Sequence, residues 1–135
     1  MRILHCCLSA VYIDNYGYQE NILPKMHLLQ GHDVMIVAST ETFINNMNLG
    51  YIEPSSYYTE NNIPIVRLPY TKWLPHFIAR KLRIYKGLNT VVNQFHPDII
   101  FLHDFQFLSI YKIANYAKQN ENVKIYADGH TDFIS

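Results

Sequence analysis

RILHCCLSAVYIDNYGYQENILPKMHLLQ, residues 2–30, holds three unlike pieces in succession. Ile3, Leu4, Cys6, Cys7 and Leu8 form an apolar run of strand length. Ser9 to Tyr18 is a polar and aromatic loop with one glycine, Gly17. Ile22, Leu23, Met26 and Leu29 then repeat as the stripe of an amphipathic helix, and Gly31 fits its C-terminal cap. A strand, a glycine-bearing loop and a helix start make a ready anion site, because the first helical turn presents unpaired N–H groups. The same pieces also make an ordinary first βα unit of an α/β domain.

The 135 residues amount to one domain, enough to bury roughly two-thirds of the surface that the unfolded chain exposes. At 49% hydrophobic and 16% charged the composition is that of a folded globule, not a disordered chain. Eleven basic residues balance eleven acidic ones, so no overall field favours nucleic acid or an anionic membrane. Cys6 and Cys7 are adjacent in a strand, so they point to opposite faces and suit a reduced core, not a disulfide. No Cys/His spacing suggests zinc. His5 interrupts the apolar start and no cleavage site follows, which argues against a signal peptide. No run is long enough to span a bilayer, and the expected location is the cytoplasm.

Beyond Gly31, residues 34–38 read as a second strand. Residues 39–62 are the least patterned part, a loop excursion with room for local helix around residues 43–47. Residues 63–68 resume a strand that Pro69 stops. Leu82, Tyr85, Leu88, Val92 and Phe95 mark one helix face, which Pro97 ends. The unbroken run at residues 99–102 suits a strand buried in a parallel sheet. Leu108, Tyr111, Ala114 and Ala117 give a further helix stripe, and residues 123–127 a last strand. Strands alternating with helices argue for an α/β fold, a doubly wound and mainly parallel sheet with flanking helices. No closing helix follows the last strand before Ser135, the pattern of a truncated domain.

Ligands of such sheets bind outside the carboxyl ends of the strands, where the strand order reverses. With the order 3-2-1-4-5, the strands starting at Ile3 and Ile99 flank that crevice. Their following segments are the loop from Ser9 to Tyr18 and the run from His103 to Gln106, beside Asp128, Gly129, His130, Thr131 and Asp132. The dinucleotide fingerprint, which needs three glycines in a tight turn, is missing. So are a phosphate-loop lysine motif, a serine elbow and a metal cluster.

Met1 to Leu4, Gly17 before a helix, Gly31-His32-Asp33-Val34, Pro97-Asp98-Ile99-Ile100 and a late strand followed by His130 resemble one known pattern. It is the N-terminal, acceptor-side Rossmann domain of family 4 glycosyltransferases, which have the GT-B fold, and the resemblance covers nearly the whole chain. It implies retaining transfer of a sugar from a nucleotide diphosphate sugar to a sugar or lipid-linked acceptor hydroxyl. It also implies that His130 faces the transferred sugar, that Gly17 lies against diphosphate or acceptor, and that His103, with Asp104, lines the same cleft. Family members usually carry a glycine pair in the first loop, whereas Tyr16 and Tyr18 flank a lone Gly17 here, which favours stacking on a sugar ring. The donor-binding domain with its two-glutamate motif lies outside these residues and would be supplied in cis or in trans. The fragment by itself is then expected to be inactive.

Residue by residue, His130 reads as a cleft residue or as a hydrogen-bonded loop residue, and His103 as cleft wall or as a partner of nearby backbone. Asp128 can orient an imidazole, and Asn21 at the helix start can reach the cleft. Asp104 is expected to cap the helix that starts near Phe105. His5 and His32 read as structural. Pro24 sets the helix start or a kink. Tyr57, Tyr58 and Tyr70 offer sugar-stacking area. Arg80, Lys81, Arg83 and Lys86 among Trp73, Leu74, Phe77, Ile78 and Ile84 read as a solvated helix face or as a peripheral membrane contact. The competing account is a stand-alone flavodoxin-like binding module, with a split transferase between the two.

Overall fold

The apolar runs become neighbours in one sheet. The computed structural model describes residues 1–14, 16–45 and 48–128. Its strands are β1 (Arg2–Cys7), β2 (Asp33–Ser39), β3 (Glu41–Asn45), β4 (Asn48–Tyr51), β5 (Ser55–Tyr58), β6 (Pro64–Leu68), β7 (Ile99–His103) and β8 (Lys124–Asp128). The helices are α1 (Gln19–Leu29), α2 (His76–Leu82), α3 (Leu88–Phe95) and α4 (Ile110–Gln119). The main sheet runs β5-β6-β2-β1-β7-β8, with β6, β2, β1, β7 and β8 parallel and β5 antiparallel at one edge. Without that edge strand the order is 3-2-1-4-5, the doubly wound arrangement expected above.

Alternation along β1 divides the core between the two faces. Leu4, Cys6 and Leu8 join the larger cluster, which α2, α3 and α4 cover through Ala79, Leu88, Val92, Phe95, Ile113 and Tyr116. Cys7 joins Val34, Ile36, Ala38, Ile63 and Ile65 on the other face, against Leu28 of α1. Both cysteines are reduced and buried, and burial pushes the Cys6 thiol up to about 12.

Several local expectations are corrected. Among its described residues the excursion at 39–62 is mostly strand, without helix: β3 and β4 pair antiparallel, and β5 adds to the sheet edge. The helix foreseen over residues 82–95 is two helices. Arg83 is left-handed (φ 54°) and Gly87 has φ 95°, so the chain turns and Tyr70 bridges to Tyr85. On α1, the stripe of Ile22, Met26 and Leu29 is exposed, and the helix buries Pro24 instead. Pro24 stands inside the helix, where it removes the donor to the Glu20 carbonyl without ending the helix. On α4 the buried positions are Ile113 and Tyr116, while Tyr111, and Leu108 ahead of the helix, are half exposed.

Candidate functional site

The carboxyl ends of β1 and β7, at the switch in strand order, open on a cavity of about 250 Å³. Cys7, Ala10, Val11, Tyr12, Tyr18, Glu20, His103 and Asp104 line it. Two carboxylates, an imidazole and two tyrosines line it together with the small apolar groups Cys7, Ala10 and Val11, and no cation stands among the described lining residues. A diphosphate would meet like charge there. Sugar hydroxyls, which donate to carboxylates and pack their C–H faces on rings, suit it better.

Arg67 holds the loop between β1 and α1 in place. It is 1% exposed near the end of β6, and its Nη1 donates to the Tyr12 and Ser39 carbonyls at 2.9 and 2.8 Å. Its Nη2 donates to Asp14 Oδ1 at 3.0 Å, and Nε to the Tyr57 hydroxyl at 3.2 Å. Tyr57 in turn donates to Asp14 Oδ2 at 2.7 Å. Nothing in the sequence reading singled out Arg67. The signal was there: one permanent charge inside the apolar run IPIVRL, which burial demands be paired.

His103 is 4% exposed at the end of β7 and joins a chain of imidazoles. Its Nε2 lies 2.8 Å from Nδ1 of His5, and His5 Nε2 lies 3.0 Å from Nδ1 of His27 on α1. The His5 ring is fully buried, and desolvation, with the neighbouring His103 and His27, pulls its pKa down to about 2. Desolvation and His32 also lower His27. His5 is therefore buried, as expected, but it bears directly on the cavity wall. His32 takes its own contact, Nδ1 lying 3.3 Å from the terminal amine.

The other expected site residues are dispersed. Tyr18 lines the cavity at the N-terminus of α1. Tyr16 is 38% exposed and packs against Tyr18 and edge-on to Phe43. Gly17 is exposed and a side chain there would meet nothing within 4 Å, so close backbone approach does not explain this glycine. Asn21 donates to the Ile13 carbonyl at 2.8 Å and steadies the loop instead of lining the cavity. Asp128 pairs in register with His103, and its carbonyl accepts from the Asp104 N–H at 2.6 Å. Asp104 has φ 68° and bonds to the N–H of Phe105, whereas α4 starts at Ile110, so it does not cap that helix. His130 lies outside the described residues, as do Gly129, Thr131 and Asp132. Glu20, in the first turn of α1, is a cavity carboxylate.

The aromatic surface is not one surface. Tyr57 belongs to the Arg67 cluster, while Tyr70 is buried, stacks on Tyr85 at 4.9 Å and donates to Glu41. The basic run is half engaged: Arg80 grips Glu41 with two nitrogens and Arg83 donates to Tyr70. Trp73 and Phe77 beside it are 73% and 71% exposed. Among the described residues no group of side chains is arranged to hold a metal ion, and no helix is long and apolar enough to cross a membrane.

No family model matches the chain, and no curated protein matches it. Solved structures share its fold. Sucrose-phosphate synthase from Thermosynechococcus elongatus aligns with 96% of this chain at 14% identity and a TM-score of 0.57. The catalytic domain of starch synthase IV from Arabidopsis thaliana, bound to ADP and acarbose, aligns with 96% at 15% identity and a TM-score of 0.59. Both are GT-B glycosyltransferases, and this chain spans 33% and 34% of their respective lengths. The α/β, mainly parallel sheet with flanking helices is thus a fold found in GT-B enzymes.

Proposed function

We propose that this chain is the N-terminal, acceptor-side Rossmann domain of a retaining glycosyltransferase, resembling those of family 4, that acts with a donor-binding domain supplied in cis or in trans. One observation carries the acceptor side of this reading. The cavity at the switch point offers Glu20 and Asp104 as hydroxyl acceptors and Tyr18 as a ring to stack on, with no cation among its described lining residues to hold a diphosphate. A nucleotide diphosphate sugar would then lie mainly on the other domain, with its sugar brought over this cavity on closure.

In that arrangement Glu20 and Asp104 take hydrogen bonds from the acceptor and fix which hydroxyl faces the donor. Orientation of this kind replaces a loose encounter by a near-attack geometry. His103 supplies an imidazole hydrogen-bonded to His5 at the wall, and His130 is assigned the contact to the transferred sugar. Donor and acceptor classes follow from this reading as a nucleotide diphosphate hexose and a sugar or lipid-linked hydroxyl. The exposed Trp73 and Phe77, beside Lys72 and Lys81, favour peripheral contact with a cytoplasmic membrane face where a lipid-linked acceptor would reside.

The test joins this chain to a donor-binding domain and follows transfer from a panel of nucleotide sugars, comparing wild type with Glu20→Gln and His130→Ala. Loss of transfer in both variants, with the fold intact, supports the assignment. Unchanged transfer in His130→Ala removes that residue from the mechanism. Unchanged acceptor KM in Glu20→Gln removes the cavity.

A further inference from the structure

His5 is fully buried, and each of its ring nitrogens faces a different histidine at hydrogen-bond distance. No single ion can take all three rings, because His5 turns a separate nitrogen to each neighbour. The contacts are therefore hydrogen bonds between imidazoles. A neutral imidazole has one N–H and one lone pair. If His5 Nδ1 donates to His103 Nε2, then His5 Nε2 must accept from His27 Nδ1. If His5 Nε2 donates to His27 Nδ1, then His5 Nδ1 must accept from His103 Nε2. No mixed arrangement satisfies both contacts with neutral rings.

We propose that His27 and His5 are positioning residues for His103, the three rings forming one imidazole wire in which the proton position at helix α1 fixes the tautomer of His103 at the cavity wall. In one sense of the wire all three rings carry their proton on Nδ1, and in the other all three carry it on Nε2. A shift from one to the other moves one proton along each contact, so that a proton gained at one end is matched by one released at the other. The rings run nearly in line, edge to edge: the His5 centroid lies 5.0 Å from that of His27 and 5.1 Å from that of His103, and Phe101 packs against all three.

Protonation of His27 selects one sense. His27 with both nitrogens protonated can only donate to His5 Nε2, which forces His5 Nδ1 to donate and His103 to accept at Nε2. The groups that bear on His27 are His5 from β1, Phe101 from β7, and His32 ahead of β2 with the terminal amine against it. Among the described residues, His5, Phe101, the adjacent Asp104, Glu20 across the cavity and Asp128 in register on β8 bear on His103. The consequence for sugar transfer rests on the acceptor-side reading; the linkage itself does not.

Long-range proton–nitrogen NMR on the histidine-labelled chain reads each ring nitrogen directly. All three rings are expected in the same sense near neutral pH, with His103 Nε2 becoming pyridine-like as His27 is protonated. His27→Phe, a change on a helix flank that leaves the sheet untouched, is expected to alter the His103 tautomer ratio and abolish that pH response. His27→Gln keeps a hydrogen-bonding side chain but no titratable ring and is expected to lose the pH response as well, and its backbone shifts report whether the fold is kept. The proposal is overturned if His103 titrates identically in wild type and His27→Phe, or if His5 carries its proton on the opposite nitrogen from its neighbours. Neither readout requires transfer activity, so the wire and the acceptor-side reading can fail separately.

Discussion

Arg67 Nη2 donates to Asp14 Oδ1 across 3.0 Å, from a guanidinium with no exposed surface to a carboxylate on the loop that walls the cavity. The pair ties the third strand of the parallel sheet to the first βα loop, 53 residues away in sequence. Arg67→Met is expected to cost about 3 kcal/mol in urea unfolding, since two carbonyls lose their donors at about 1–3 kcal/mol each while Asp14 turns to water. Asp14→Asn, at a partly exposed and solvent-screened position, should cost about 1 kcal/mol. Equal costs for the two would contradict this anchoring role.

Stability should fall on acidification. His5 has its folded-state pKa lowered to about 2, below its unfolded value of 6.5, so the unfolded chain binds the extra proton first. The contribution is fully present above pH 6.5 and is lost as pH falls towards the folded pKa, at about 1.4 kcal/mol per pH unit. The lowered His27 adds in the same direction. Urea midpoints measured between pH 7 and pH 5 check this, and a flat profile would mean that His5 is not buried neutral.

Cys6 and Cys7 are buried on opposite faces, and burial raises both thiols. Neither should react with an aromatic disulfide reagent in the folded chain, and both should react in denaturant. Fast labelling of the native protein would show that Cys7, which lines the cavity, is open to the reagent after all.

The exposed pair Trp73 and Phe77 should carry any membrane contact. Wild type is expected to sediment with anionic vesicles at low salt, and a Trp73→Ala, Phe77→Ala double variant to lose that binding with little change in melting temperature. Retained binding in the double variant would move the contact elsewhere.

How much of this was legible beforehand depends on the range of the interaction. The strands β1, β2, β6, β7 and β8 announced themselves as apolar runs, and their order followed from the rules of crossover connections. The antiparallel pair of β3 and β4 did not, because Glu41, Asn45 and Asn48 lack alternation and are set by pairing with each other. The break between α2 and α3 hid behind a continuous helical period, since the left-handed turn at Arg83 leaves Tyr85 and Leu88 buried as a single helix would. On α1 the period was real but turned to solvent, because Pro24 occupies the sheet-facing side. His103 at the crevice was foreseen from strand topology. Its contact with His5, 98 residues away, and the Arg67 anchor were not, because neither has a local signature.

Sugar transfer by this domain joined to a donor-binding partner tests the central claim most directly. The product's anomeric configuration is read by NMR, and the acceptor KM is compared between wild type and Glu20→Gln. The account predicts transfer with retained configuration and an acceptor KM raised about 10-fold or more in the variant, the loss of a hydrogen bond to a charged group. Transfer with an unchanged acceptor KM, or no transfer from any nucleotide sugar, would contradict it.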